Sequence, residues 1–271
     1  MVGARIASVH AEPPSSSIRV TWWGHATVLV DDRARILTDP LLTGALMHLH
    51  RRAGLVPHPP PRLDAVAISH LHMDHLHLPS LAQLEPGTPV LIPKGAAGLL
   101  AKLPVEPVEV SAGDVVPIGD ATVHVVHAVH DATRWPWGGP RGEAVGYVVQ
   151  GAGTTYFAGD TSVFDGMDEL YPGKLDLALL PVWGWGPNLR GEHMDPEQAA
   201  GCLPTIGAEV AIPIHYGTFW PRGMGWVRKR VFHEPGREFA EHARTSAPSV
   251  DVRVLEVGTS TEVRLSPRGA G

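Results

Sequence analysis

The chain has 271 residues, and Lys+Arg 22 against Asp+Glu 28 gives a net charge of −6. That balance argues against a partner held by bulk positive charge, such as nucleic acid or an anionic membrane. A single cysteine, Cys202, excludes an internal disulfide framework and any cysteine-based zinc or iron–sulfur site. Hydrophobic residues make up 44% and charged residues 18%, enough for a large core. Gly 30 and Pro 26 imply many turns between short elements, and His 16 is the unusual count.

Taken in chain order, residues 1–17 read as a disordered lead-in with a Pro-Pro-Ser-Ser-Ser stretch and no apolar h-region. Short β-rich runs follow at 18–23, 27–30 and 35–37. The strand 65–69 runs directly into a histidine cluster. Helices are expected at 78–84 and 95–102, and strands at 108–110, 115–118, 122–126, 145–149, 154–157 and 175–180. Residues 195–206 form a helix, with Asp195 as N-cap, Pro196 at its first position and Gln198 completing a capping box. A strand at 210–214, a helix at 234–246 and a closing strand at 252–257 complete the pattern. There is no solenoid repeat and no splitting linker, so residues 18–271 read as one domain of two packed sheets with helices outside. No apolar run reaches membrane-spanning length, and a cytoplasmic location is the expectation.

The strongest signal is Ser69-His70-Leu71-His72-Met73-Asp74-His75-Leu76-His77. On extended backbone His70 and His72 point to one side, and a turn at Met73-Asp74 swings Asp74 and His75 into the same space. Imidazole and carboxylate together suit zinc, and also manganese, iron or nickel. One cluster cannot fill two coordination shells, so further donors must come from other strand ends. His130, Asp160 and His215 each stand at the exit of an apolar strand, beside a short turn or glycine. No Gly-x-Ser-x-Gly elbow, phosphate-binding loop or dinucleotide fingerprint competes with this reading.

These segments resemble the metallo-β-lactamase fold hydrolases. More narrowly, they resemble the branch holding the ascorbate-6-phosphate lactonase and the N-acyl-phosphatidylethanolamine phospholipase D. The resemblance rests on Trp22-Trp23-Gly24-His25-Ala26-Thr27, Leu37-Thr38-Asp39-Pro40, the cluster, Ala158-Gly159-Asp160-Thr161, His193-Met194-Asp195-Pro196 and His215-Tyr216-Gly217-Thr218-Phe219. It implies an α+β fold, a four-layer αββα sandwich with metals at one edge of the sheets. It assigns one metal to His70, His72 and His130, a second to Asp74, His75 and His215, and a bridging role to Asp160. Many members of the branch carry Asp where this chain has His77, which is therefore left out of the ligand set.

Five neutral imidazoles, two carboxylates, two divalent ions and a bridging hydroxide sum to about +1 in formal charge. Such a site favours an anionic substrate and the negative charge that develops during hydrolysis. Asp74 is the expected proton carrier, and His193 and Tyr216 are candidates for hydrogen-bonding an oxyanion. For His193 an ordinary loop role is the competing reading. His25 and Asp39 are expected behind the ligands, with Asp39 holding an imidazole by its other ring nitrogen. Arg134 is a candidate anion holder, with plain surface exposure as the alternative. All eight tryptophans lie near these segments, either walling a pocket or packing loops onto the core.

The expectation is thus a hydrolase with two divalent ions, zinc first, with manganese or iron compatible. It cleaves an ester-type bond, lactone or phosphodiester, in a small or medium anionic substrate. An iron-dependent redox member of the fold and a non-catalytic metal-binding protein are the alternatives.

Overall fold

A computed structural model describes residues 17–135, 138–184, 191–224 and 232–265. The expected lead-in therefore falls outside the described residues except for Ser17, which already begins a strand. The first half of the chain builds β1 (Ser17–Gly24), β2 (Thr27–Asp31), β3 (Arg35–Thr38), β4 (Ala45–Leu46), β5 (Leu49–Arg51), β6 (Ala65–Ala67) and helix α1 (Leu78–Leu81). It continues through β7 (Pro89–Pro93), a 3-10 turn at Ala97–Leu100, β8 (Glu106–Val110), β9 (Val115–Ile118) and β10 (Ala121–His127). The second half adds β11 (Val145–Gln150), β12 (Thr154–Phe157), β13 (Leu175–Pro181), α2 (Pro196–Gly201), α3 (Leu203–Ile206) and β14 (Ala208–Ile214). β15 (Phe219–Pro221), α4 (Pro235–Ser246), β16 (Asp251–Val252) and β17 (Thr259–Arg264) complete it.

Two seven-stranded sheets result, in the orders β17-β1-β2-β3-β6-β7-β8 and β16-β14-β13-β12-β11-β10-β9. A small sheet, β15-β5-β4, stands beside them. The period-two alternation of a strand sorts the apolar residues between layers. In the first sheet Val28, Val30, Ile36, Ala65, Ala67 and Leu91 join the main core shared with the second sheet. Their sequence neighbours Leu29, Leu37, Val66, Val90 and Ile92 face the other way, onto Leu81 of α1, Leu84 and Leu100. On the far side of the second sheet, Ala199, Ala200, Leu203, Phe239 and Ala243 carry α2, α3 and α4 onto Val210 and Ile212. This is the αββα order of layers, a metallo-β-lactamase fold.

Several elements depart from the sequence reading. The expected helix 195–206 breaks at Cys202 into α2 and α3. Pro204 has no N–H to give the carbonyl of Ala200, and the Ser246 hydroxyl of α4 donates to that oxygen instead at 3.0 Å. The capping box itself forms, with Asp195 accepting from the Gln198 amide at 2.8 Å and Gln198 accepting from that of Asp195 at 3.1 Å. The expected closing strand 252–257 shrinks to β16. The chain instead crosses back as β17, antiparallel to β1 from Ser17↔Arg264 to Trp22↔Thr259.

Candidate metal centre

The centre lies where strands of both sheets end. β6 leads through Ile68 and Ser69 into the loop carrying His70, His72, Asp74 and His75. That exit is fixed across the sandwich: Tyr147 of β11 donates its hydroxyl proton to the Ile68 carbonyl at 2.7 Å, and the Val145 amide donates to that of Ser69 at 2.9 Å. From the second sheet come His130 after β10, Asp160 after β12 and His215 after β14. Gly159, at φ +63, lets this approach occur, because a Cβ there would lie 2.5 Å from that of Ser69.

The donor atoms form overlapping groups, each with its members within 4.8 Å of one another: His70, His72 and His130; His25, Asp74, His75 and His215; His70, His75 and Asp160; His130, Asp160 and His193. Asp160 Oδ2 lies 3.1 Å from Nε2 of both His75 and His215, and 3.4 Å from His193 Nδ1. Asp160 therefore stands between the two halves.

The outer ring nitrogens show which inner ones carry lone pairs. His75 Nδ1 meets Asp39 Oδ2 at 2.7 Å, and His215 Nδ1 meets the Trp183 carbonyl at 2.6 Å. His130 Nδ1 meets the Glu192 carbonyl at 2.9 Å. His70 Nδ1 lies 3.0 Å from the Ser69 hydroxyl, which in turn donates to Asp39 Oδ2 at 2.6 Å. Each acceptor fixes a proton on Nδ1 and leaves Nε2 bare toward the interior. The Nε2 atoms of His75 and His215 then face each other at 3.2 Å, two acceptors in contact. His70 Nε2, Asp160 Oδ1 and His193 Nδ1 are buried with no hydrogen-bond partner. Cations held within these groups would satisfy the inward-facing atoms, so the donor set fits metal.

The electrostatics agree. Burial pushes the imidazoles of His70 and His72 down, and that of His193 to about 4, so they stay neutral donors. Burial likewise takes His25 to about 3. Burial also disfavours a charge on His75, but Asp160, Asp74 and Asp39 outweigh it and hold that imidazole well above its usual value. The carboxylates that favour positive charge at His75 favour a metal cation there for the same reason.

The other expected residues divide. Asp39 takes its anticipated place behind His75. His25 meets Asp74 through Nε2 at 3.0 Å. His77 turns from the centre to the Ser80 hydroxyl at 2.7 Å, where it precedes α1, and is buried rather than on the surface. The Tyr216 ring packs on Trp22 at 5.1 Å within the main core, and its hydroxyl lies against Gly236 of α4. For Arg134 the alternative of plain surface exposure is corrected. It is 6% exposed, and its Nη1 donates to the carbonyls of Leu71 at 2.7 Å, Leu76 at 2.6 Å and His72 at 3.4 Å. Its charge clamps the ligand loop, and the side chain is not at the surface.

The tryptophans also separate. Trp22 is core, Trp23 packs on the outer cluster of the first sheet, and Trp135 lies under the Arg134 guanidinium. Trp183, whose carbonyl holds His215, stacks on Trp220 at 6.1 Å. Trp137, Trp185 and Trp226 lie outside the described residues, as does Arg228-Lys229-Arg230.

The β-lactamase superfamily domain matches residues 34–216, which contain every donor above except His25. The chain belongs to the metallo-β-lactamase superfamily. Its relatives place it among the metal-dependent hydrolases. A UPF0173 metal-dependent hydrolase of Methanosphaerula palustris is 34% identical over 211 residues, covering 75% of this chain and 85% of that protein. Another, from Koribacter versatilis, is 32% identical over 217 residues, covering 74% and 85%. Among solved structures, the metallo hydrolase Igni18 of Ignicoccus hospitalis superposes with a TM-score of 0.69 at 24% identity, covering 92% of this chain and all of that one (100%). Among the described residues of this metal-dependent hydrolase, no helix is long and apolar enough to cross a membrane.

Sequence reasoning missed the carbonyls of Trp183 and Glu192, because a backbone oxygen carries no residue signature. It also missed Ser69, whose position beside the first ligand was the available signal.

Proposed function

We propose that this hydrolase binds two divalent ions and cleaves an ester-type bond, a lactone or a phosphodiester, in a small or medium anionic substrate. His70, His72 and His130 would hold one ion, Asp74, His75 and His215 the other, and Asp160 both. Zinc suits these nitrogen and carboxylate donors, and manganese or iron is compatible with them. The observation that carries the reading is the set of inward Nε2 lone pairs on His70, His75, His130 and His215, each fixed by a partner on Nδ1.

Bound there, the ions would supply hydroxide near neutral pH and positive charge for a developing oxyanion. The chain supplies the rest. Asp74 would take the proton given up by the attacking water and deliver it to the leaving oxygen as the ester bond breaks. His193, neutral and turned toward Asp160, is the group for hydrogen-bonding an oxyanion. Tyr216, packed beside Trp22 directly after His215, is the second candidate for that hydrogen bond. The narrower resemblance to the lactonase and phospholipase branch supports the lactone and phosphodiester choices.

The test is a panel of lactone, β-lactam and phosphodiester substrates, each with zinc and manganese, beside metal analysis and an optical spectrum. Turnover of a lactone or phosphodiester with two ions per chain is the expected result. Saturation at one ion under metal excess, with Asp160→Ala unchanged, would falsify the bridged pair. Salt-sensitive cleavage of nucleic acid without activity on any small ester would sink the substrate class. An iron-linked absorption band with redox turnover would favour the redox alternative.

A further inference from the structure

His25 shares a donor group with Asp74, His75 and His215, yet its geometry differs from theirs. Its Nε2 faces a carboxylate oxygen, Asp74 Oδ2, at 3.0 Å. That oxygen lies farther from the imidazoles beside it, 3.5 Å from His75 Nε2 and 3.9 Å from His215 Nε2. A carboxylate only accepts, so the contact places a proton on His25 Nε2.

The backbone of His25 is fixed on every side. Its amide donates to the Thr218 hydroxyl at 2.8 Å, and its carbonyl accepts from the His215 amide and the Trp22 indole, both at 2.9 Å. Residue 25 sits at φ +53, a left-handed conformation that glycine adopts freely and a histidine does not. The preceding Gly24 is also left-handed, at φ +99, and a Cβ there would strike Thr218 at 2.5 Å. A turn with only a structural task would favour glycine or asparagine at position 25. An imidazole held there against conformational preference points to a task for the side chain.

We propose that His25 is the positioning residue for Asp74: it holds the carboxylate toward the His75–His215 pair by donating to Oδ2, and is not itself a metal ligand. This rests on the reading of Asp74 as a ligand of the second ion. Asp74 needs such a hold, because it sits on a turn with 13% of its side chain exposed and can otherwise swing outward.

The test uses the full chain with His25→Gly, His25→Phe and His25→Gln. Glycine suits the left-handed backbone, so His25→Gly stays folded even if the bulkier Phe does not. Zinc titration calorimetry and the absorption spectrum of the cobalt-substituted protein read the two ions without any substrate. The expected result is a first ion bound as in the parent and a second bound about 10–100-fold more weakly in the Gly and Phe variants. The His25→Gln variant, which can still donate, returns to within a few-fold of the parent. Parent affinity and an unchanged cobalt spectrum in His25→Gly would overturn the proposal. Equal loss of the second ion in all three variants would also overturn it, by making His25 a ligand. If Asp74→Ala leaves the titration unchanged, the reading of Asp74 fails first and takes this inference with it.

Discussion

The two halves of the metal centre are built differently. His75 and His215 are fully buried, and two carboxylates, Asp74 and Asp39, stand beside them. His72 and His130 are only half-buried, and His130 is fixed by a loop carbonyl, that of Glu192. His70 belongs to the open trio but shares Asp39 with the closed side through Ser69. The difference separates tasks. The closed half concentrates negative charge, whereas the open half offers neutral nitrogens nearer to solvent; on the two-ion proposal, the first would keep its cation and the second would meet substrate.

The largest effect is expected from Asp74→Ala, which removes the carboxylate that distinguishes the closed half. Turnover should fall by about 10²–10⁴-fold with the thermal transition retained. Near-normal turnover in a fully metallated variant would erase the distinction. Asp39→Asn tests the same half from behind. It weakens the hold on His75 and on the Ser69–His70 pair, and metal affinity should drop about 10–100-fold by titration. Under slow chelation the ion at His70, His72 and His130 should leave the parent protein first. Release of the buried ion first would reverse the assignment of tasks.

Arg134→Met addresses what the two halves share, since this side chain from the second sheet grips the loop of the first. Buried carbonyls lose their donor, and the cost is about 1–3 kcal/mol for each one left unsatisfied, read as a lower denaturant midpoint. An unchanged midpoint would show that the loop stands without its clamp.

The smallest effect separates the halves in protons, in the metal-free protein. Burial keeps His70 and His72 below the usual 6.5, and His193 near 4 and His25 near 3, so the folded state declines protons that the unfolded chain accepts. Their contribution is present above about 6.5 and is lost as pH falls toward 4. His75 runs the opposite way: its contribution is full below 6.5 and is lost as pH rises through its elevated folded value. The depressed imidazoles outnumber it, so the melting temperature should fall on acidification from pH 6.5 to about 4. A melting temperature that holds or rises over that range would show that these buried imidazoles do not decline protons in the folded state.

The sequence displayed what depends on side-chain identity and short spacing. The ligand loop, the strand 154–157 before Asp160 and the capping box at Asp195 were all readable there. It concealed what depends on long-range pairing. β7 was passed over because Pro89 and Pro93 frame it, although Pro89 begins the strand, where a missing amide is tolerated. β17 is polar, with Val263 its one fully buried residue, and it becomes a strand only because β1 lies beside it. The clamp role of Arg134 has no sequence signal, because nothing near it in the chain marks the distant carbonyls that it serves.

That last strand also sets an order in time. β1 carries Trp22 and Gly24 up to His25, and its outer neighbour is β17, some 240 residues later. All the other donors precede residue 217, so a growing chain possesses them long before the strand that flanks their platform exists. Pairings this distant in sequence form slowly. Folding of the centre therefore finishes late, and during synthesis the exposed edge of β1 is the surface that needs protection from neighbouring chains.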